Sequence, residues 1–512
     1  MSLDLTSTGD LARALAPELT LTAAAMLVLL VAAWRHTSPR DLRIAGWLSL
    51  AGLAATGAAV WWLWWQSARA AGAPSMIALD AFRFVTDALF LIAAGLTVLV
   101  SVGYLEREGL LVPEYYVLLL FATLGMMLMA GGEDLMVVFL GLELMSVAVY
   151  VLAGINRKSD AAAEAALKYF LLGAFASGFL LYGIALVYGA TGTTNFTQIA
   201  TQVRALSLTH SPMLLIGLGL VLVGFGFKVA AVPFHMWAPD VYDGAPTPVT
   251  GYMATAVKAA AFAALVRVLL EAFGDVAAWR PIVWWLAVAT MVVGNFIALA
   301  QRAVKRMLAY SSVAHAGYLL VAVAAGMGPG SSALLVYLFA YTLVTLAAFA
   351  LLAAKGRDGE RDVRIDDLAG LGQRHPWLAL ALAVCMLSLL GFPGTAGFIG
   401  KWYILVAATL MHQTLLAAIL VLTSVVSAGY YLPVIMAMYM KPEPFAEAHA
   451  GVRLGRPAAV VVAACVIGLL VLGIRPNGLL DLARSSAIVT AAPAAPPPPP
   501  PPPAAASPAT GR

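Results

Sequence analysis

The chain has 512 residues, of which 62% are hydrophobic and 11% charged, with a mean hydropathy of +0.90 and a formal net charge of +4. Soluble domains carry about 25% charged residues, so a soluble enzyme is excluded and the polypeptide belongs in a membrane. The modest positive charge forms no basic stripe interleaved with aromatics, which sets nucleic-acid binding aside.

From the N-terminus, Asp4, Asp10, Arg13 and Glu18 occupy the place where a cleavable signal would need a basic region, so the first apolar run is expected to be retained. Apolar runs of about 20 residues, each sufficient to cross a hydrocarbon core of about 30 Å, then recur along the chain. The predicted spans are 15–34, 42–66 and 79–103 in an N-terminal block, residues 1–114. Spans 115–131, 133–154, 165–190, 212–239 and 247–273 make a first unit, residues 115–273. Spans 281–301, 305–326, 330–354, 376–409 and 411–440 make a second, residues 281–440, and 456–475 closes the series. Residues 491–512 contain eight consecutive prolines and are expected to be a Pro/Ala-rich disordered tail of polyproline II character. Alternating barrel patterning is absent and only helices or closed barrels satisfy the backbone in lipid. The expected fold is therefore all-α and polytopic, with about 14 transmembrane helices.

Lysine and arginine crowd the loops after odd-numbered spans, including Arg35, Arg40, Arg43, Arg107, Arg157, Lys158, Arg302, Lys305 and Arg306. That asymmetry places both termini on the side away from the cytoplasm.

Two spans are interrupted by proline: Pro233 within "GFGFKVAAVPFHMWAPDVYDGAPTPVT" and Pro393 within "GFPGTAGFIGK". A proline frees the carbonyl four residues back, here Val229 and Leu389. Such groups survive at membrane depth only beside protein or a hydrated cavity, so both breaks are expected inside the bundle. Each interrupted helix is the fourth of its five-helix unit, and an odd helix count inverts the second unit relative to the first. Paired interruptions of this kind mark ion sites in transporters.

Ionisable side chains at membrane depth cost about 2.5–3.5 kcal/mol each on insertion scales and usually face other helices or water. Glu143, Lys228, Lys258 and Lys401 are such residues, with Lys168, His315 and His235 as secondary candidates. The plainer readings are a packed ion pair, a satisfied core histidine, or, for Lys168, a snorkelling side chain. Burial drives ammonium and carboxyl groups alike towards their neutral forms, so a line of them can pass protons, with a glutamate near a lysine as the electrostatic trigger. Arg83 and Asp87, one turn apart, are expected to pair with each other. Glu133, Asp134 and Arg302 sit at span ends, where solvation or the helix dipole accounts for them. Cys385 and Cys465 stand singly, with no C-x-x-C and no histidine cluster, so no metal or iron–sulfur site is expected in this chain. Gly217, Gly219, Gly224 and Gly226 lie within a span and read as close helix packing, not a dinucleotide fingerprint.

The stretches "FLGLELMSVAVYVLAG", "GFGFKVAAVPFHMWAPDVYDGAPTPVTGYMATAVKAAAF", "VKRMLAYSSVAHAGYLL" and "GFPGTAGFIGKWYIL" resemble the antiporter-like membrane subunits of respiratory complex I, the NADH–quinone oxidoreductase. The match extends from the first span to the fourteenth and is nearest to the subunit N branch, whose mitochondrial counterpart is NADH dehydrogenase subunit 2. The resemblance implies proton-translocating residues at Glu143, Lys228, Lys258 and Lys401. It also implies a bacterial inner-membrane location, in which the loop charges would put both termini on the periplasmic side, and no redox chemistry or cofactor in the chain itself. NADH, FMN, iron–sulfur clusters and quinone would be used by other subunits of the enzyme. Expected partners are further antiporter-like and other membrane subunits, membrane lipids and, indirectly, the peripheral redox arm. The proline tail is not part of the family pattern, and no long amphipathic helix is expected after span 14, which argues against the largest antiporter-like subunit. A subunit of a multisubunit cation/proton antiporter is the alternative function, and a membrane scaffold whose buried charges only specify packing is a third.

Overall fold

The computed structural model describes residues 8–35, 38–67, 76–355, 363–442 and 454–488. The proline-rich tail expected at 491–512 lies outside the described residues. Twelve helices are long and apolar enough to cross a membrane. They are α1 Ala16–Trp34, α2 Pro39–Ser67, α3 Ala81–Arg107, α4 Glu114–Gly131, α5 Leu135–Ala153 and α6 Asp160–Thr191. After a two-piece α7 come α8 Thr247–Ala272, α9 Trp279–Leu299, α10 Val304–Ala325 and α11 Pro329–Lys355. After a two-piece α12 come α13 Thr414–Met440 and α14 Arg456–Ile474. The pieces are α7a Pro212–Lys228 and α7b Trp237–Gly244, then α12a Pro376–Leu390 and α12b Ala396–Leu410. Each predicted span is thus occupied by a helix, and two short amphipathic helices, Phe196–Ala205 and Asn477–Ser485, run outside the predicted spans.

Composition sorts the helices into an inner and an outer set. The apolar window of α8 is wholly buried, and those of α10 and α11 are nearly so, whereas α1, α6 and α14 bury a third or less. Ala-rich α8, with "VKAAAFAALV", lets its neighbours approach closely. Outer faces display Trp61, Trp65, Phe175 and Tyr182, side chains suited to lipid and its interface. α4 and α5 cross where Gly125 and Gly141 meet: a Cβ at Gly125 would lie 2.5 Å from the Gly141 carbonyl oxygen. α6 and α7a meet in the same way at Gly183 and Gly217. α8 carries two π-helical stretches, Met253–Val257 immediately before Lys258 and Val268–Ala272 at its end. Such widened turns often mark functional positions.

The breaks differ from expectation in one respect. Pro233 and Met236 in the first, and Phe392, Pro393 and Gly394 in the second, are exposed on the flank of the bundle. The backbone tolerates this because local groups satisfy it. The Trp237 indole donates to the Phe227 carbonyl at 2.9 Å, Val232 N–H donates to Thr290 Oγ1 of α9 at 2.9 Å, and Lys401 donates to the Leu390 carbonyl at 3.0 Å. Ala230 turns the chain with φ 59°, and Gly391 does so with φ 91°. The helix interruptions are therefore held by side chains of their own segments and of α9, with apolar outer faces.

Candidate functional site

α5 presents Glu143, Ser146 and Tyr150 at helical spacing, on one face. Lys228, the last residue of α7a, is buried against that face. Its Nζ donates to Ser146 Oγ at 2.8 Å and Tyr169 OH at 3.4 Å, and lies 5.4 and 5.2 Å from the centres of the Tyr150 and Tyr169 rings. A buried ammonium needs such hydrogen bonds and ring faces to offset lost solvation. The expected glutamate, Glu143, stands near Lys228 without a direct ion pair among the described residues. Glu143 is half-buried and accepts a short hydrogen bond from Ser177 of α6.

Lys258, buried at the centre of α8, donates to the Ser312 carbonyl at 2.5 Å and to the Ser312 hydroxyl, 5.8 Å from the Tyr341 ring centre. The Tyr242 and Tyr341 side chains also interact with Ser312. Three residues further along α10, His315 is held between two phenols, with Nδ1 2.6 Å from Tyr337 OH and Nε2 3.1 Å from Tyr431 OH. Tyr431 also bonds to Ser311. Lys401 of α12b donates to Ser424 Oγ at 2.6 Å and sits 4.8 Å from the centre of the Tyr318 ring, again on α10. It forms the floor of a cavity of about 440 Å³, lined by Phe392, Trp402, Ser424 and Val425 and open between α12b and α13.

The three lysines therefore share one arrangement, an ammonium on a serine hydroxyl and over a tyrosine ring. α10 joins two of them, carrying Ser312, His315 and Tyr318 on one face. On the other side, Tyr169 stacks on Trp237 at 4.4 Å and Trp237 meets Tyr242 at 5.9 Å, linking the surroundings of Lys228 to those of Lys258.

Two secondary candidates lie apart from this line. Lys168 is half-exposed and pairs with Glu164 at 2.6 Å and with Asp240 at 2.9 Å, and Asp240 also binds Arg306 at 2.9 Å. Burial alone would raise the Asp240 carboxyl, but Lys168 and Arg306 hold it below its ordinary value. His235 lies in the turn between α7a and α7b, its Nδ1 buried without a hydrogen-bond partner among the described residues. Sequence reasoning overlooked Ser146, Ser312 and Ser424. Only Ser146 carried a signal, three residues after Glu143, because Ser312 and Ser424 meet their lysines across the fold.

A family model described as "NADH:quinone oxidoreductase/Mrp antiporter, TM" matches residues 132–427, from the start of α5 into α13. NADH-quinone oxidoreductase subunit N of Gemmatimonas aurantiaca is 46% identical over 501 residues, covering 95% of each chain. The chain belongs to the subunit N family of antiporter-like membrane subunits. The same subunit of Trichlorobacter lovleyi is 47% identical over 471 residues, covering 92% of this chain and 96% of its own. A solved structure described as respiratory complex I from Thermus thermophilus with bound aureothin contains a chain 38% identical to this one, with a TM-score of 0.77, over 92% of this chain and 100% of that one. Lys228, Lys258, His315 and Lys401 all fall within the region the family model matches.

Proposed function

We propose that this subunit N-like chain moves protons through the inner membrane as part of a bacterial NADH–quinone oxidoreductase, driven by quinone reduction in other subunits. The observation that carries the reading is the repeated seat of Lys228, Lys258 and Lys401, each buried on a serine hydroxyl and beside a tyrosine ring. In this reading Glu143 sets the charge state of Lys228 through the α5 face. Lys258 is the central carrier, His315 with its two phenols passes protons along α10, and Lys401 ends the line beside its cavity on the bundle flank. Helices α4–α8 and α9–α13 act as two inverted units, each supplying a lysine beside its broken helix.

NADH, FMN, iron–sulfur clusters and quinone serve the enzyme in other subunits, and this chain contributes proton movement alone. Neighbouring membrane subunits and lipids cover the exposed breaks of α7 and α12. The loop charges orient both termini to the periplasm. A subunit of a multisubunit cation/proton antiporter is the second reading, since the family description covers both. The 46% and 47% identities to subunit N favour the first.

The test uses membrane vesicles with Lys228→Ala in an assembled complex. NADH-driven quinone reduction and proton uptake should fall together. Both remaining at wild-type rates would make Lys228 a packing residue.

A further inference from the structure

A second buried polar system lies where α3 begins and α8 ends, formed mainly by helices outside the region that the family model matches. Asp80 caps α3, accepting from Arg83 N–H at 2.8 Å, and binds Arg267 through both oxygens, at 2.8 and 2.9 Å. Arg267 also pairs with Glu271 at 2.9 Å and donates to the Ala130 carbonyl at 3.0 Å. The Arg83 guanidinium donates to Glu18 of α1 at 2.7 Å, to the Ala14 carbonyl at 3.0 Å and to the Ala78 carbonyl at 2.7 Å. It fits because Gly131 has no side chain: a Cβ there would lie 2.8 Å from Arg83 Nε.

Packing explains these contacts, which tie α1, α3, α4 and α8 together. It does not explain Asp87. That side chain is fully buried, its nearest cation is Arg83 Nε at 3.5 Å, and neither of its oxygens has a hydrogen-bond partner among the described residues. Glu18 Oε2 is likewise buried and unpartnered. The charged groups that act on Asp87 are Arg83, Glu18, Asp80 and Arg267. Glu133 stands beside Arg267 and Asp80 at the start of α5. The carboxyls of Glu18, Asp80, Asp87 and Glu271 thus share the guanidiniums of Arg83 and Arg267, four acids on two bases, and Asp87 is the one that hydrogen-bonds to neither, a costly position for a buried carboxylate. Exposure rises along the network, from 0% at Asp87 through 6% at Glu18 to 25% at Glu271 and 41% at Asp80.

We infer that Asp87 and Glu18, bridged by Arg83, form a second proton-binding site of this subunit, reached from the aqueous end past Asp80 and Glu271 and separate from the lysine line. The ligand is a proton brought by hydronium: an O–H bond forms on a carboxylate oxygen of Asp87 or Glu18 as one breaks in the hydronium, leaving water, and no electron moves. Arg83 positions the two acids. Proton binding here stands by itself, while its use in pumping rests on the function proposed above.

The test uses the intact complex in proteoliposomes with Asp87→Asn, Asp87→Glu, Glu18→Gln and, as a control, Lys228→Ala. It reads protons moved per NADH oxidised and the infrared carbonyl band of protonated carboxyls. Asp87→Asn should lose a carboxylic-acid band and lower the proton ratio, and Asp87→Glu should restore both. If Asp87→Asn does not assemble, Glu18→Gln should show the same two losses. An unchanged band and ratio in whichever of these two variants assembles overturns the inference. If Lys228→Ala still abolishes pumping in that case, the proposed function stands without it. Wild-type pumping undiminished by Lys228→Ala would instead count against the proposed function, and the infrared band would still decide whether Asp87 and Glu18 bind a proton.

Discussion

Lys228 Nζ rests 2.8 Å from Ser146 Oγ, three residues beyond Glu143 on α5, so the serine and not the glutamate makes the direct contact with the lysine. Hydrogen bonds to charged groups contribute about 1.5–3 kcal/mol. Ser146→Ala should therefore slow coupled NADH oxidation and proton uptake by roughly ten- to a hundredfold in an assembled complex, since each 1.36 kcal/mol is a factor of ten in rate. Ser146→Thr keeps the hydroxyl and should retain most of the activity. Equal rates in Ser146→Ala and wild type would detach the serine from the proton line.

At the crossing of α4 and α5, a Cβ on Gly141 would lie 2.8 Å from the Gly125 carbonyl oxygen and 2.9 Å from Met129 N. Both are backbone atoms that cannot rotate away. Gly141→Ala should cost about 1–3 kcal/mol by overpacking and disturb Glu143 two residues on. The check is the fraction of complex surviving a heating series, where Gly57→Ala, with open space around it, should behave as wild type.

His315 depends on its two phenols. Removing one hydroxyl by Tyr431→Phe takes the partner from His315 Nε2 and from Ser311 together. Proton uptake should fall several-fold while the Lys228 environment, which Tyr431 does not touch, stays intact. Vesicle assays of Tyr431→Phe beside Tyr337→Phe would show it, and wild-type uptake in both would remove His315 from the line.

Asp240, in the first turn of α7b, is held below its ordinary value of 3.8 by Lys168 and Arg306 against the opposing effect of burial. A depressed carboxyl stabilises the fold above its unfolded value and loses that contribution as pH falls through the folded one. Because the group is partly exposed, the loss in Asp240→Asn should be modest, about 1 kcal/mol or less. The gap in thermal stability between wild type and Asp240→Asn should stay constant from neutral pH down to about pH 4 and close below it. A gap already closing near neutral pH would contradict this assignment.

The helix count was legible because every span is a long apolar run and both interruptions carry a proline in plain view. Glu143, Lys228, Lys258, His315 and Lys401 stood out because ionisable groups in apolar runs are rare. The serines did not, since a hydroxyl in a membrane helix commonly bonds its own backbone, as Thr97 does to Ala93. Ser312 and Ser424 acquire their partners only when α10 meets α8 and α13 meets α12b. Asp87 was read as the simple partner of Arg83 from their spacing, but Glu18 of α1, 65 residues away in sequence, takes the nearer position at 2.7 Å. The exposure of the breaks was equally hidden, because the Trp237 indole and Lys401 donate to the neighbouring carbonyls of Phe227 and Leu390 from within the same segments.

The central claim is that the buried lysines carry protons, and Lys258 tests it most directly because it sits between the two halves of the line. The measurement is proton uptake per NADH oxidised in vesicles holding an assembled Lys258→Ala complex. The account predicts that uptake collapses, with NADH oxidation slowing alongside it. Wild-type uptake in that variant would contradict the account.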